Sequence, residues 1–152
     1  MKSKIIALLT ISCSAIIQLS AQHEVPEKYD NQIIMIADTS ASMNLKDLVL
    51  HLTNLGYTFS LIDNNNKLAY TNEKVSEGGY QHKLSILFKD STISIRATCN
   101  MMLLGSSVGN YKTTWVDWEY AKSKFNIYNL HFRAFYPAIS SFPHKRLLFY
   151  RR

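Results

Sequence analysis

Hydrophobic and polar residues alternate through the middle of this 152-residue chain, as in β-strands that bury one face. Five such runs are predicted as strands: 32–37, 57–61, 67–71, 84–88 and 93–99. Asparagine and aspartate at 63–66 and the pair Asp90-Ser91 predict turns between them. Short turns join neighbouring strands in opposite directions, so the pattern predicts an antiparallel sheet with one polar face and one face that needs a cover.

A helix is predicted between the first two strands. Its apolar residues recur at steps of three and four: Leu45, Leu48, Val49, Leu52 and Leu55. Asn44 is a good N-cap, and Asp47 follows three residues later, where a carboxylate faces the positive end of the helix. Gly56 is predicted to end the helix.

A second helix is predicted over residues 114–138, after a loop over residues 104–113. Aromatic residues recur there at helical spacing, beginning at Trp115, and Pro137 marks the end. Residues 130–136 also alternate locally, so a strand remains an alternative for them. The predicted fold class is therefore α+β, with two layers: an antiparallel sheet of about five strands, helices packed on one face, and the order β-α-β-β-β-β-α.

The N-terminus has the features of an export signal. Lys2 and Lys4 precede an apolar run too short to span a membrane as a helix, and Ala21 provides a small residue at a cleavage point before Gln22. The predicted organisation is a signal peptide (1–21), a polar N-terminal arm (22–31), a single α+β domain (32–143) and a basic C-terminal tail (144–152). The mature protein is expected in the periplasm or outside the cell.

Cys13 offers a different processing route. Ser12 supplies the small residue that precedes the modified cysteine of bacterial lipoproteins, and lipidation there would anchor the protein to the outer membrane. The apolar run continues past Cys13, which favours cleavage after Ala21. Membrane contact is expected only through such lipidation. If cleavage follows Ala21, Cys13 is removed with the signal and Cys99 is the lone cysteine, in a strand position predicted to be buried.

The charge distribution argues against nucleic-acid binding. The chain has 17 Lys and Arg, 11 Asp and Glu, and a formal net charge of +6. The basic excess lies in the signal and in the last eight residues, so the body of the chain is neutral. A nucleic-acid binder is expected to carry positive charge across a face of the fold.

Asp38, Ser40 and Ser42 form a D-x-S-x-S motif directly after the first strand. The motif resembles the metal-ion-dependent adhesion site of von Willebrand factor A domains, which implies that these three residues would be oxygen ligands for Mg²⁺. That family also requires a later Thr and a later Asp on separate loops; here Thr71 and Asp90 stand in those places without an intervening helix. The favoured interpretation is an ordinary capped loop, and no cofactor is expected.

The sequence lacks a recognisable catalytic motif. Its histidines are scattered, without zinc-ligand spacing, at positions 23, 51, 82, 131 and 144. Asp117 and Glu119 sit beside tryptophans, but two residues apart on a helix they would face different directions. The protein is expected not to be an enzyme; the alternative is an exported hydrolase whose site forms from the scattered histidines and carboxylates.

Residues 52–74 carry a second resemblance. A helix closed by Gly-Tyr is followed by a strand ending in Asp, a turn and a strand ending in Thr, with two alternating strands after them. Over residues 32–99 this order is similar to small exported envelope domains of Gram-negative bacteria, many of them lipoproteins of unknown function, and to the helix-on-sheet domains of outer-membrane assembly accessories. The resemblance implies an accessory domain and transfers no functional residue.

The function expected is non-catalytic: an exported binding or accessory domain of the bacterial cell envelope that recognises a protein or a surface polymer. Aromatic side chains would provide contact area at low entropy cost. The aromatic residues of interest are Tyr57, Tyr80, Tyr111, Trp115, Trp118 and Tyr120.

Overall fold

A computed structural model describes residues 22–36, 44–89, 91–103 and 112–151. The helices there are α1 (Leu45–Asn54) and α2 (Ile127–Ser140). The strands are β1 (Gln22–His23), β2 (Gln32–Ile36), β3 (Phe59–Asp63), β4 (Leu68–Thr71), β5 (Lys74–Val75), β6 (Gln81–Lys89), β7 (Thr92–Leu103), β8 (Lys112–Asp117) and β9 (Arg146–Tyr150). The α+β class with an antiparallel sheet and two helices is confirmed. The prediction of about five strands is wrong, since the described residues contain nine.

One open sheet joins these strands in the order β1-β9-β2-β7-β6-β4-β3. The hairpin of β6 and β7 forms its centre. β7 is long enough to pair with β2 through its first half and with β8 through its second half. β6 likewise pairs with β4 and β5 along the edge opposite β7. All these pairings are antiparallel, as the short turns in the sequence require.

The hydrophobic core lies between the helices and one face of the sheet. Ile33, Ile95 and Ile86 are paired across β2, β7 and β6, and each is almost fully buried. Apolar residues of both helices join the same buried cluster: Leu45, Leu48 and Leu52 of α1, and Phe132, Phe135 and Ile139 of α2. This face is therefore covered, and the alternate strand positions point the other way.

The ends of α1 follow the predicted local signals. Asn44 Oδ1 accepts a hydrogen bond from the backbone N–H of Asp47 at 2.8 Å. Gly56 follows the helix with a φ of +82°, a left-handed conformation that favours glycine. The cap and the stop signal are both confirmed.

The predicted helix over residues 114–138 is wrong in its first half. Residues 112–117 form β8, which pairs with β7, and α2 begins only at Ile127. Threonine, tryptophan and valine at 114–116 favour strands, and the helical spacing of Trp115 and Trp118 is a coincidence of the sequence. The alternative of a strand over residues 130–136 is also wrong, because these residues are helical. Asn126 caps α2 by accepting a hydrogen bond from the N–H of Tyr128, and Pro137 lies inside the helix.

The segments expected at the margins of the domain belong to the sheet. Residues 146–150, expected in a basic tail, form β9 and pair with both β1 and β2. The expected N-terminal arm contributes β1 and the fully buried Asp30. The apolar run Leu147-Leu148-Phe149 explains why β9 folds onto the sheet despite its basic neighbours, and Phe149 joins the core.

The predicted signal peptide, including Cys13, lies outside the described residues, and its cleavage or lipidation stays a prediction. Neither helix in the described part of the chain combines the length and apolar character needed to cross a bilayer.

Candidate functional site: the open face of the sheet

The face of the sheet turned away from the core carries a groove of about 500 Å³. Hydroxyl, amide, charged, aromatic and aliphatic groups line it together: Gln32, Leu68, Tyr70, Ser85, Leu87, Ser94, Arg96, Thr98, Asp117 and Tyr150. The groove spans strands that are far apart in sequence, so its composition follows from the pairing of the sheet.

Strand register places the groove residues in rows. Tyr70, Ser85 and Arg96 are paired across β4, β6 and β7. Leu68, Leu87 and Ser94 form the next row. Paired side chains on one face stand about 5 Å apart, so each row presents its groups side by side.

The groove has an exposed apolar edge. Leu87, Tyr70 and Leu61 are 44%, 39% and 46% exposed. Leu61 lies on β3, the outermost strand at this end of the sheet, and pairs with Tyr70 on β4. Neighbouring exposed apolar side chains of this kind mark interaction surfaces in soluble proteins.

The groove contains two charged groups, those of Arg96 and Asp117. Within the described part of the chain, neither Arg96 nor Asp117 has an oppositely charged group within 4.0 Å. Gln32 donates a side-chain hydrogen bond to Ser94 Oγ and so links β2 to β7 across the groove floor. Arg96 can therefore offer its guanidinium to a bound partner.

Trp115 extends this face along β8. Its indole ring lies under the Lys83 ammonium, 4.0 Å from Nζ to the ring centroid, and the side chain is 36% exposed. Among the predicted aromatic residues that the structure describes, Trp115 is thus the most exposed.

Two other predicted aromatic contacts lie in the interior. Tyr57 and Trp118 are buried, and Trp118 stacks on Phe132 with ring centroids 5.0 Å apart. Tyr80 and Tyr120 are half-buried, and Tyr111 lies outside the described residues. Sequence patterns did not identify Leu87 and Tyr70 as exposed or the half-buried Tyr150 as a groove residue. The signal available was that Leu87 has the strand parity of its polar neighbours Ser85 and Lys89.

The core contains two buried histidines, and no sequence pattern predicted that they lie near each other. His82 on β6 is fully buried, and a 2.8 Å hydrogen bond joins its Nε2 to the Tyr57 hydroxyl. Burial lowers the pKa of His82 to about 4, and the nearby His131 and Lys74 lower it further by smaller amounts. The Tyr80 backbone, near the ring, opposes this decrease. Nδ1 of His82 has no hydrogen-bond partner among the described residues. His131 on α2 is buried too, and burial lowers its pKa. Both rings are therefore neutral at physiological pH.

Within the part of the chain that the structure describes, the groups suggested for hydrolysis do not converge. His51 Nε2 lies 3.1 Å from both Ser141 Oγ and the Ala138 carbonyl oxygen. Among the described residues, no carboxylate oxygen comes within 4.0 Å of the His51, His82 or His131 rings. Asp117 lies at the end of β8 rather than on a helix, and Glu119 follows in the connection to α2. No triad of nucleophile, base and orienting acid is present in this part of the chain.

Metal ligation is not apparent in the described residues, where no group of three or more histidine, cysteine, aspartate or glutamate side chains is placed to hold an ion. Asp38, Ser40 and Ser42 lie outside these residues, so the adhesion-site hypothesis stays a prediction. Cys99 is fully buried, as its strand parity predicts, and burial raises the pKa of its thiol to about 12.

Comparison with known proteins found no matching family model and no similar curated protein or solved structure.

Proposed function

We propose that this protein is a non-catalytic, exported binding domain of the bacterial cell envelope and that the open face of its sheet holds a partner protein. The observation that carries the proposal is the groove on that face, where exposed Leu87 and Tyr70 lie beside Arg96, which has no ion partner among the described residues. The export signal predicted from the sequence supports the location, and the covered opposite face leaves this one available for contact.

The chemistry of the groove favours a protein over a surface polysaccharide. Tyrosine and arginine are enriched in protein interfaces, and buried apolar side chains supply much of the binding energy. The exposed aliphatic groups of Leu61 and Leu87, and the half-buried Leu68 beside them, gain little from the hydroxyl-rich surface of a sugar chain. A protein side chain of similar polarity would bury them favourably.

Quantitative affinity capture from the native envelope tests this function. Wild-type protein, Leu87→Glu and Leu50→Glu serve as baits. Leu50 is a matched control because it is 58% exposed on α1 and does not line the groove. We expect one protein to be recovered with wild type and Leu50→Glu and to be depleted at least tenfold with Leu87→Glu. Equal recovery of every captured protein by all three baits would contradict the proposal, and specific capture of a polysaccharide would identify the other class of partner.

A further inference from the structure

The outermost strand β3 leaves one edge of the sheet unpaired. It stands last in the strand order, and β4 is its sole strand partner within the described part of the chain. Residues 59–62 of β3 carry no charge, and Leu61 and Ile62 are 46% and 45% exposed. Proteins usually protect such an edge from a further strand by placing charged side chains or proline on it. Residues 59–62 have neither, so the edge is open to an added strand.

The antiparallel ladder determines which backbone groups of β3 face outward. The Phe88 N–H donates to the Lys67 carbonyl oxygen at 2.8 Å, so this carbonyl points toward β6. Residues of an antiparallel strand alternate in direction, so the backbone groups of Ala69 point toward β6 as well. Ile62 is paired with Ala69 and therefore directs its own N–H and C=O away from β4. Among the described residues, these two groups have no hydrogen-bond partner.

A row of core residues ends at the same edge. Strand register places five residues of β2, β7, β6, β4 and β3 in this row: Ile33, Ile95, Ile86, Ala69 and Ile62. The first four are at most 1% exposed, whereas nearly half of Ile62 remains in contact with solvent. One more strand with an apolar residue at this level would continue the row and remove the Ile62 side chain from water.

The opposite face of β3 adjoins the groove. Leu61 is paired with Tyr70, and the same row continues through Ser85 to Arg96. Successive side chains of a strand point to opposite faces of the sheet. An added strand would therefore place every second side chain beside Leu61, at the apolar edge of the groove, and the intervening side chains beside Ile62.

We propose, building on the proposed function, that the partner protein adds an extended segment to β3 as a further strand of the sheet. Its backbone pairs with the outward N–H and C=O of Ile62. Its central residues are apolar on both faces, because Leu61 and Ile62 expose aliphatic side chains on opposite faces.

A second copy of this chain fits the edge less well than a partner segment. The register of β3 against β4 shifts between Phe59 and Leu61, so only the second half of β3 is regular. If two β3 strands paired antiparallel about their centre, the irregular half of each would oppose the regular half of the other. A regular segment from a partner avoids this mismatch.

Selection from a random heptapeptide library displayed on phage, with the wild-type mature protein as target, tests the added strand. Recovered peptides should carry adjacent apolar residues in their centre and bind saturably as synthetic peptides. Methylation of one backbone nitrogen at a time should weaken binding about tenfold or more at every second position and little between them, because a strand directs alternate N–H groups to its neighbour. Failure to recover a binding peptide, or losses without this alternation, would overturn the proposal.

Variants of Ile62 locate the peptide on β3. Ile62→Pro removes the outward N–H without removing a hydrogen bond to β4, and Ile62→Lys places a charge on the edge while keeping the backbone intact. Both should weaken peptide binding about tenfold or more. Val75→Lys is the matched control, because Val75 is 55% exposed and lies on β5, and it should bind like wild type. Unchanged binding by both Ile62 variants would overturn the proposal, as would a wild-type dimer that Ile62→Lys converts to a monomer.

Ile62→Lys as a further bait in the capture experiment separates this inference from the proposed function. Depletion of the captured protein with both Leu87→Glu and Ile62→Lys supports the added strand. Depletion with Leu87→Glu alone would overturn the added strand and leave the open-face function standing. Equal recovery by every bait would contradict the proposed function and, with it, a partner segment on β3.

Discussion

At the scale of residues, the interior contains polar side chains whose burial the sequence signals only indirectly. His82 has the strand parity of Leu84 and Ile86, and His131 lies four residues before Phe135 on α2. Each position could be assigned to a buried face from spacing alone. That the two imidazoles approach each other depends on where α2 crosses the sheet, which no local pattern encodes.

The buried His82 makes stability depend on pH. Its pKa is about 4 in the folded protein and near 6.5 when exposed, so between these values the unfolded chain binds a proton that the native state excludes. The free energy of unfolding is therefore highest, with respect to His82, above pH 6.5. It falls by roughly 3 kcal/mol as the pH drops from there through 4, and His131 acts in the same direction.

Urea unfolding between pH 7 and pH 4 measures this dependence. His82→Gln should flatten it, while Tyr57→Phe, which keeps the imidazole, should lower stability at every pH and retain the slope. An unchanged slope in His82→Gln would show that other groups cause the loss at acidic pH.

Cys99 is expected to be chemically silent in the native protein. The buried thiol has a raised pKa, so little reactive thiolate forms at neutral pH. In a Cys13→Ser variant, an aromatic disulfide reagent should label less than one tenth of the protein under native conditions and all of it in denaturant. Rapid and complete native labelling would contradict the buried position.

At the scale of elements, a helix or strand could be predicted from the sequence where its local residues determine its structure. Helix α1 has a capping asparagine and a stop glycine, and β6 and β7 alternate cleanly, so their existence followed from sequence. β8 and β9 did not follow, because aromatic residues near Trp115 imitate helical spacing and basic residues around β9 suggest an exposed tail. Both segments are strands because an edge of the sheet is available to pair with them. The groove could not be predicted for the same reason: its residues meet only through strand order.

The N-cap of α1 should contribute measurably to stability. Asn44→Ala removes the acceptor for the Asp47 N–H and should lower the free energy of unfolding by about 1 kcal/mol. Asn54→Ala makes the same change in the exposed last turn of α1 and should have little effect or stabilise slightly. Denaturant unfolding compares the two, and equal losses would contradict the capping role.

At the scale of the whole molecule, the sheet has one face covered by helices and one open face, and β9 links the two ends of the described chain. β9 lies between β1 and β2, and its Phe149 belongs to the core. The last residues therefore hold the fold together, although their charge alone suggests a solubilising tail.

Truncation distinguishes these roles. Deleting residues 146–152 should abolish cooperative thermal unfolding, because it removes a strand paired on both sides and opens the core. Deleting only Arg151 and Arg152 removes basic charge beyond β9 and should leave the melting temperature within a few degrees of wild type. A cooperative, nearly unchanged transition in the longer deletion would show that β9 is dispensable.

Photocrosslinking in cells that produce the protein tests the proposed role of the open face most directly. A benzophenone amino acid replaces Leu87 in the groove or Leu50 on α1. The account predicts a discrete protein adduct from position 87 that is lost when Arg96→Glu is added, and no such adduct from position 50. Identical adducts from both positions, or no protein adduct from position 87, would contradict it.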